Sequence, residues 1–161
     1  MQIVIDTNIW KKACTSESMK CVFFIGNFLQ TKDDQLAVDY SYKMLKEYED
    51  NVKNEPFYKH CIKELIEQNR IAYGSSQLSN IHKQGLDRVG FHEPEDRVFL
   101  GRAFNGDKYL VSEDSDYGLS PDPDKNDAQA LAKKDYIESE MGVTLVNGEA
   151  ALSDSKNRMI L

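Results

Sequence analysis

No apolar run in this sequence is long enough to cross a bilayer, which takes about 20 residues of helix. No basic n-region followed by a cleavable apolar segment opens it either, so the expectation is a cytoplasmic protein with no membrane partner. Cysteine is scarce. Cys14, Cys21 and Cys61 are an odd set without zinc-motif spacing, and His60, His82 and His92 are scattered. That argues against a disulfide framework and a structural zinc site, and for reduced thiols. Positive charge is also short: the formal net charge is -7. A protein basic over its whole surface is excluded, so any basic binding surface must be local. The deficit does not exclude a nucleic-acid substrate, because a site that holds divalent cations must itself be acidic and the bound metal then faces the phosphate. Internal repeats and low-complexity segments are absent as well.

What is present is an ordinary globular composition, 40% hydrophobic and 29% charged over 161 residues. It predicts one compact domain spanning residues 1–161. Gln2 to Asp6 reads as a strand, with Ile3-Val4-Ile5 suited to burial on both faces. Ile9 to Thr15 reads as loop or helix, and Ser16 to Leu29 as a helix. Leu36 to Asp39 reads as a second strand, followed by helices over Tyr42 to Val52 and Tyr58 to Gln68, with Glu55-Pro56 between them. Asn69 to His92 carries the weakest pattern: a strand at Ile71 to Tyr73, a Gly74-Ser75-Ser76 turn and a short helix. Pro94 suits a first helical position, with Glu95 and Asp96 in the first turn and Asn105-Gly106-Asp107 ending the helix. Tyr109 to Val111 is a strand, Ser112 to Tyr117 an acidic loop and Ser120 to Asn126 a Pro/Asp-rich loop. Asp127 to Glu140 is a helix stopped by Gly142, and Val143 to Val146 a last strand. After Asn147 the sequence reads as a polar tail closing on the Met159-Ile160-Leu161 patch. Strands alternating with helices predict an α/β fold with a mostly parallel sheet.

In such sheets ligands sit beyond the carboxyl ends of the strands, so acids at those ends are the first candidates. Asp6 directly follows the apolar Ile3-Val4-Ile5 and precedes Thr7-Asn8. It serves either as a helix cap or as a metal ligand. Asp114 and Asp116 follow Tyr109-Leu110-Val111, where a polar turn is the alternative reading. Asp96 stands three, four and seven residues before Phe99, Leu100 and Ala103. That spacing puts its carboxylate on the core-facing side of its helix, whereas Glu95 fits an exposed, dipole-compensating acid. Glu47 lies at the rim of the Leu45/Tyr48/Val52 stripe, with Glu49 and Asp50 nearby and equally acidic, and a solvated surface acid is the alternative reading for it. Carboxylates that converge from separate elements repel one another unless a cation is bound. Hard oxygen ligands favour Mg2+ or Mn2+, which would activate water for an in-line displacement at a phosphodiester.

Four stretches in order resemble the PIN-domain family. They are Ile3-Val4-Ile5-Asp6-Thr7-Asn8, Met44-Leu45-Lys46-Glu47-Tyr48, Asp96 with Phe99, Leu100 and Ala103, and Leu110-Val111-Ser112-Glu113-Asp114-Ser115-Asp116-Tyr117. Met141-Gly142-Val143-Thr144-Leu145-Val146 is similar to the family's last strand. Asp96 to Tyr117, with its short Asn105-Gly106-Asp107 turn, is the most specific part; residues 54 to 92 match least. Glu113 stands where many members have Asn.

The resemblance implies a three-layer α/β/α sandwich and divalent-metal endoribonuclease activity on RNA. It implies Asp6, Glu47, Asp96 and Asp114 as metal ligands, with Asp116 as a further acid. Ser112 or Thr7 through its hydroxyl, and Asn8 through its amide, would orient those ligands. For single-domain bacterial members it also implies a toxin held by an antitoxin protein, usually as a homodimer; other members process RNA. Two rival classes stand beside this reading, apart from a nuclease that acts on DNA. One is a degenerate PIN-like RNA- or protein-binding module, against which the full set of acids speaks. The other is a phosphoacceptor receiver-like domain, against which speak the helical setting of Lys133 and Lys134 and the lack of a mid-chain strand ending in an acceptor Asp.

Overall fold

The computed structural model describes residues 1–160; Leu161, the last member of the apolar terminal patch, lies outside the described residues. Five strands carry the fold: β1 (Gln2–Ile5), β2 (Gln35–Asp39), β3 (Ile71–Gly74), β4 (Tyr109–Val111) and β5 (Thr144–Val146). They form one sheet in the order β3-β2-β1-β4-β5, and every neighbouring pair is parallel. Ile3, Val4 and Ile5 are buried on both faces, as a central parallel strand requires.

Among the described residues seven α-helices connect the strands, α1 (Thr7–Cys14), α2 (Met19–Gln30), α3 (Lys43–Val52), α4 (Pro56–Glu67), α5 (Asn80–Arg88), α6 (Pro94–Phe104) and α7 (Ala128–Ser139), and α8 (Gly148–Ile160) follows β5. The chain first moves outward from β1 to β2 and β3, then returns to lay β4 on the other side of β1. The right-handed rule for parallel crossovers therefore places α1 to α4 on one face and α5 to α7 on the other, giving a three-layer α/β/α sandwich. The reversal sets a topological switch point between β1 and β4, and the acidic stretches after both strands end there.

The expected polar tail after Asn147 is instead helix α8, packed along α2. Its buried positions Gly148, Ala151, Leu152 and Ser155 are small or sparse, so its sequence carries little apolar periodicity. The stretch Ile9 to Cys14 resolves as helix, since α1 starts at Thr7, and Thr15 caps its end. Pro56 opens α4 at its first turn, a position where the missing N–H leaves no helical bond unmade. No helix among the described residues is long and apolar enough to cross a membrane.

Helix positions at the switch point are fixed by an aromatic cluster. Trp10 of α1 meets Tyr48 of α3 and Tyr58 of α4 edge-on, with centroids 5.9 Å and 5.4 Å apart, and Tyr48 meets Phe99 of α6 at 5.9 Å. Each such pair is worth about 0.5–1.5 kcal/mol beyond its burial. The cluster locks together the helices that carry Thr7 and Asn8, Glu47 and Asp96. Close approach of α6 also depends on Gly101, where a Cβ would lie 1.9 Å from the Ser76 carbonyl oxygen. Buried Arg102 reaches from α6 to the Val38 carbonyl at 2.8 Å and the Ala72 carbonyl at 3.1 Å.

Candidate active site

Asp6 ends β1 in extended backbone (ψ 150°) and occupies the cap position of α1, but its side chain makes no capping bond. Its Oδ2 instead accepts from the Ser112 hydroxyl at 2.6 Å and from the Asn8 amide at 3.1 Å. Ser112, at the end of β4, also accepts the Asp114 backbone N–H at 3.1 Å, and Asn8 Oδ1 accepts the Glu113 N–H at 3.1 Å. The sheet register that pairs Ile5 with Val111 thus continues past both strands as a side-chain ring of Asp6, Asn8 and Ser112. Thr7, the first residue of α1, donates its hydroxyl to Glu47 Oε1 at 2.8 Å. The Tyr48 hydroxyl donates to the Ile5 carbonyl, tying the Glu47 helix to the strand that carries Asp6.

Asp96, Asp114 and Asp116 each offer an oxygen within 4.8 Å of the others. Asp96 comes from the first turn of α6, on the inward side expected from its spacing; Asp114 and Asp116 come from the 3-10 turn after β4. Asp114 Oδ1 accepts the Asp116 N–H at 2.8 Å, so the carboxylate shapes its own turn and still presents an oxygen to the cluster. Tyr117 closes the turn from beneath, donating to the Asp96 carbonyl at 3.3 Å and packing on Phe91 at 5.2 Å. Asp6 and Glu47 stand outside the tightest trio, yet act on it electrostatically. Burial, and then the negative charges of Asp6, Asp114, Glu47 and Asp116, push the Asp96 carboxyl up to about 7. Burial pushes Asp6 up to about 6, opposed by the Ser112 hydrogen bond and reinforced by the charges of Asp114 and Glu47. Among the described residues no hydrogen-bond donor reaches the Asp96 carboxylate. The trio, with Asp6 and Glu47 acting on it electrostatically, is an all-oxygen donor set that could hold a divalent cation.

Two features escape the sequence pattern. Glu113, next to Asp114 in sequence, is buried and pairs with the half-buried Lys12 at 2.8 Å. Lys133, buried on α7, places its ammonium 3.7 Å from Asp116 Oδ1. Neither pairing has a signature in spacing, since each joins elements distant in sequence.

Carboxylates gathered from both sides of the switch point of a parallel sheet define an acidic α/β centre suited to a hard divalent cation. A family model described as a PIN domain matches residues 2–116, well over half of the sequence. The chain belongs to the PIN-domain family, whose members are generally nucleases that use divalent metal ions. Neither the curated proteins nor the solved structures give a match to the chain.

Proposed function

We propose that this protein is a divalent-metal-dependent endoribonuclease that hydrolyses RNA phosphodiester bonds. The carrying observation is the trio Asp96, Asp114 and Asp116, with oxygens within 4.8 Å, backed by a buried Asp6 whose carboxyl is pushed up to about 6. Asp6, Glu47, Asp96 and Asp114 would hold Mg2+ or Mn2+, with Asp116 at the solvent side. The bound ion supplies Lewis acidity and lowers the proton affinity of water beside the phosphodiester.

The chain's own groups orient that centre. Ser112 and Asn8 both donate to Asp6 Oδ2 and so orient that carboxylate. Thr7 fixes one Glu47 oxygen in the same way. The Tyr48 and Tyr117 phenols are pushed well up by burial and by the nearby acids, so both stay protonated and add no charge. At neutral pH the clustered carboxylates repel one another, and a cation removes that penalty.

The test is cleavage of single-stranded RNA and single-stranded DNA of matched sequence, with EDTA, Mg2+ or Mn2+. The expected result is metal-dependent internal cleavage of RNA that Asp96→Asn and Asp114→Asn each abolish while the circular dichroism spectrum is kept. Cleavage by the doubly substituted, well-purified protein at the wild-type rate sinks the proposal. RNA binding with no melting-temperature shift in millimolar metal would support a binding module instead. The family resemblance extends the reading to a toxin held by an antitoxin. Growth arrest on induction, relieved by Asp96→Asn, is the matching cellular assay, and size-exclusion chromatography reads the homodimer.

A further inference from the structure

Beside the acidic centre runs a surface groove of about 430 Å³ between α3 and the start of α6, bordered by Glu47, Lys43 and Pro94. It continues into a second hollow that shares Lys43, Pro94 and Val98 with it. This farther half is lined by Lys43, Lys83 and Arg97 and by no Asp or Glu, in a chain whose net charge is -7. Arg97 is paired with Asp87, but Lys43 and Lys83 carry no ion pair among the described residues. Lys43 precedes Glu47 by one helical turn, so the cationic half of the groove leads directly to the acids.

At the same end of the sheet, three tyrosines stand in water. Tyr40, Tyr42 and Tyr73 are 67%, 60% and 45% exposed. Tyr42 and Tyr73 meet edge to face at 5.7 Å, an arrangement that leaves ring faces open. Tyr42 is also held there by construction. Its φ is +58°, a left-handed conformation that costs an aromatic residue energy. Asp39, fully buried at the end of β2, holds that turn by accepting the N–H groups of Ser41, Lys43 and Met44 at 3.1, 3.2 and 2.9 Å. Tyr42 adjoins Lys43, and Tyr73 leads through Gly74 and Ser75 into Ser76 and Gln77 of the groove wall.

We propose that Tyr42 and Tyr73 form a base-stacking subsite for a single-stranded nucleic acid whose backbone follows Lys43 and Lys83 toward the carboxylates. Exposed aromatic faces beside unpaired cations are the chemistry that binds a flexible strand without reading its sequence. A duplex keeps its base faces stacked inside and does not satisfy the tyrosines. The subsite rests on the nuclease reading above and extends it from the reacting phosphodiester to the strand that carries it.

The experiment uses the full chain in EDTA and a fluorescein-labelled 12-nucleotide oligoadenylate RNA, read by anisotropy. Tyr42→Ala and Tyr73→Ala are each expected to weaken binding at least about fivefold, while Tyr42→Phe binds like wild type. Lys43→Gln and Lys83→Gln should each lower the slope of log affinity against log salt by about 0.7. Hydrolysis of bis(p-nitrophenyl) phosphate in Mn2+ is run in parallel, because so small a diester does not reach the subsite. Unchanged hydrolysis with weakened strand binding supports the proposal. Strand affinity unmoved by Tyr42→Ala and Tyr73→Ala overturns it, as does equal weakening toward a blunt duplex. A change of oligomeric state with no change in strand affinity also overturns it and marks the tyrosines as a protein interface. If the wild-type chain cleaves no RNA in Mg2+ or Mn2+, the nuclease reading fails while the anisotropy still decides the subsite.

Discussion

Ser112 and Asp6 lie 106 residues apart in sequence, and the Ser112 hydroxyl donates to Asp6 Oδ2 at 2.6 Å across the boundary between β1 and β4. The same oxygen of Ser112 accepts the Asp114 N–H, so one hydroxyl orients two acids of the centre. Removing it in Ser112→Ala leaves Asp6 Oδ2 with the Asn8 amide alone and the Asp114 N–H without its acceptor. The expected outcome is a folded protein whose Mn2+ affinity, measured by calorimetric titration, falls about 10- to 100-fold. Affinity equal to wild type would show that the hydroxyl only fills the space.

Metal-free stability should depend on pH through Asp96 and Asp6. The folded Asp96 titrates at about 7, above its ordinary 3.8, and Asp6 at about 6. Between the ordinary and the folded values the native state binds more protons than the unfolded chain. Their contribution is therefore fully present below about pH 4 and lost as the pH rises through about 7. In EDTA the melting temperature attributable to these groups should fall between pH 5 and pH 8. Asp96→Asn should flatten that fall, and a wild-type slope in Asp96→Asn would refute it.

Metal should reverse the same trend. Cation binding requires the carboxylates deprotonated, so millimolar Mg2+ or Mn2+ should raise the melting temperature more at pH 8 than at pH 5. Asp114→Asn should shrink the rise at pH 8. Differential scanning fluorimetry at the two pH values, with and without EDTA, reads both effects.

Asp39 is an acid of a different kind. Its carboxylate is fully buried and satisfied by three backbone N–H groups at the start of α3. Asp39→Ala strands those donors and should cost about 2–4 kcal/mol in urea unfolding. Asp39→Asn keeps part of the cap and should cost less. Hydrolysis of a small diester per folded molecule should stay near wild type, since Asp39 faces the helix start and not the acidic cluster.

The aromatic cluster gives a purely structural counterpart. Trp10 is fully buried against Tyr48 and Tyr58, and Trp10→Ala should cost about 3–5 kcal/mol. Trp10→Phe restores much of the volume and should recover a large part of that loss, as read from denaturation midpoints.

Much of this molecule was legible in its residues. The continuous β-branched run Ile3-Val4-Ile5 marked a central strand because burial on both faces removes any alternation. Asp96 was readable as inward-facing because helical spacing alone ties it to Phe99, Leu100 and Ala103. Other parts had no local signal. Helix α8 buries small residues against α2, so its pattern resembles a polar tail. Asp39 closes the strand that the apolar run Leu36 to Val38 marks, but nothing local shows that its carboxylate accepts the first N–H groups of α3. Glu113 sits next to Asp114 in sequence, yet its pairing with Lys12 joins elements distant in sequence.

By itself the sequence determined which residues could form strands and helices and which carboxylates stood at their ends, since periodicity and capping act over a few residues. Only the tertiary structure decided which of those carboxylates meet. That follows from the return of the chain to lay β4 beside β1, which brings Asp6, Ser112 and Asp114 together from opposite ends of the sequence. It also decided the pairing of Tyr42 with Tyr73 and the seating of Lys133 beside Asp116. Such contacts arise from how whole elements pack, and no spacing within one element encodes them.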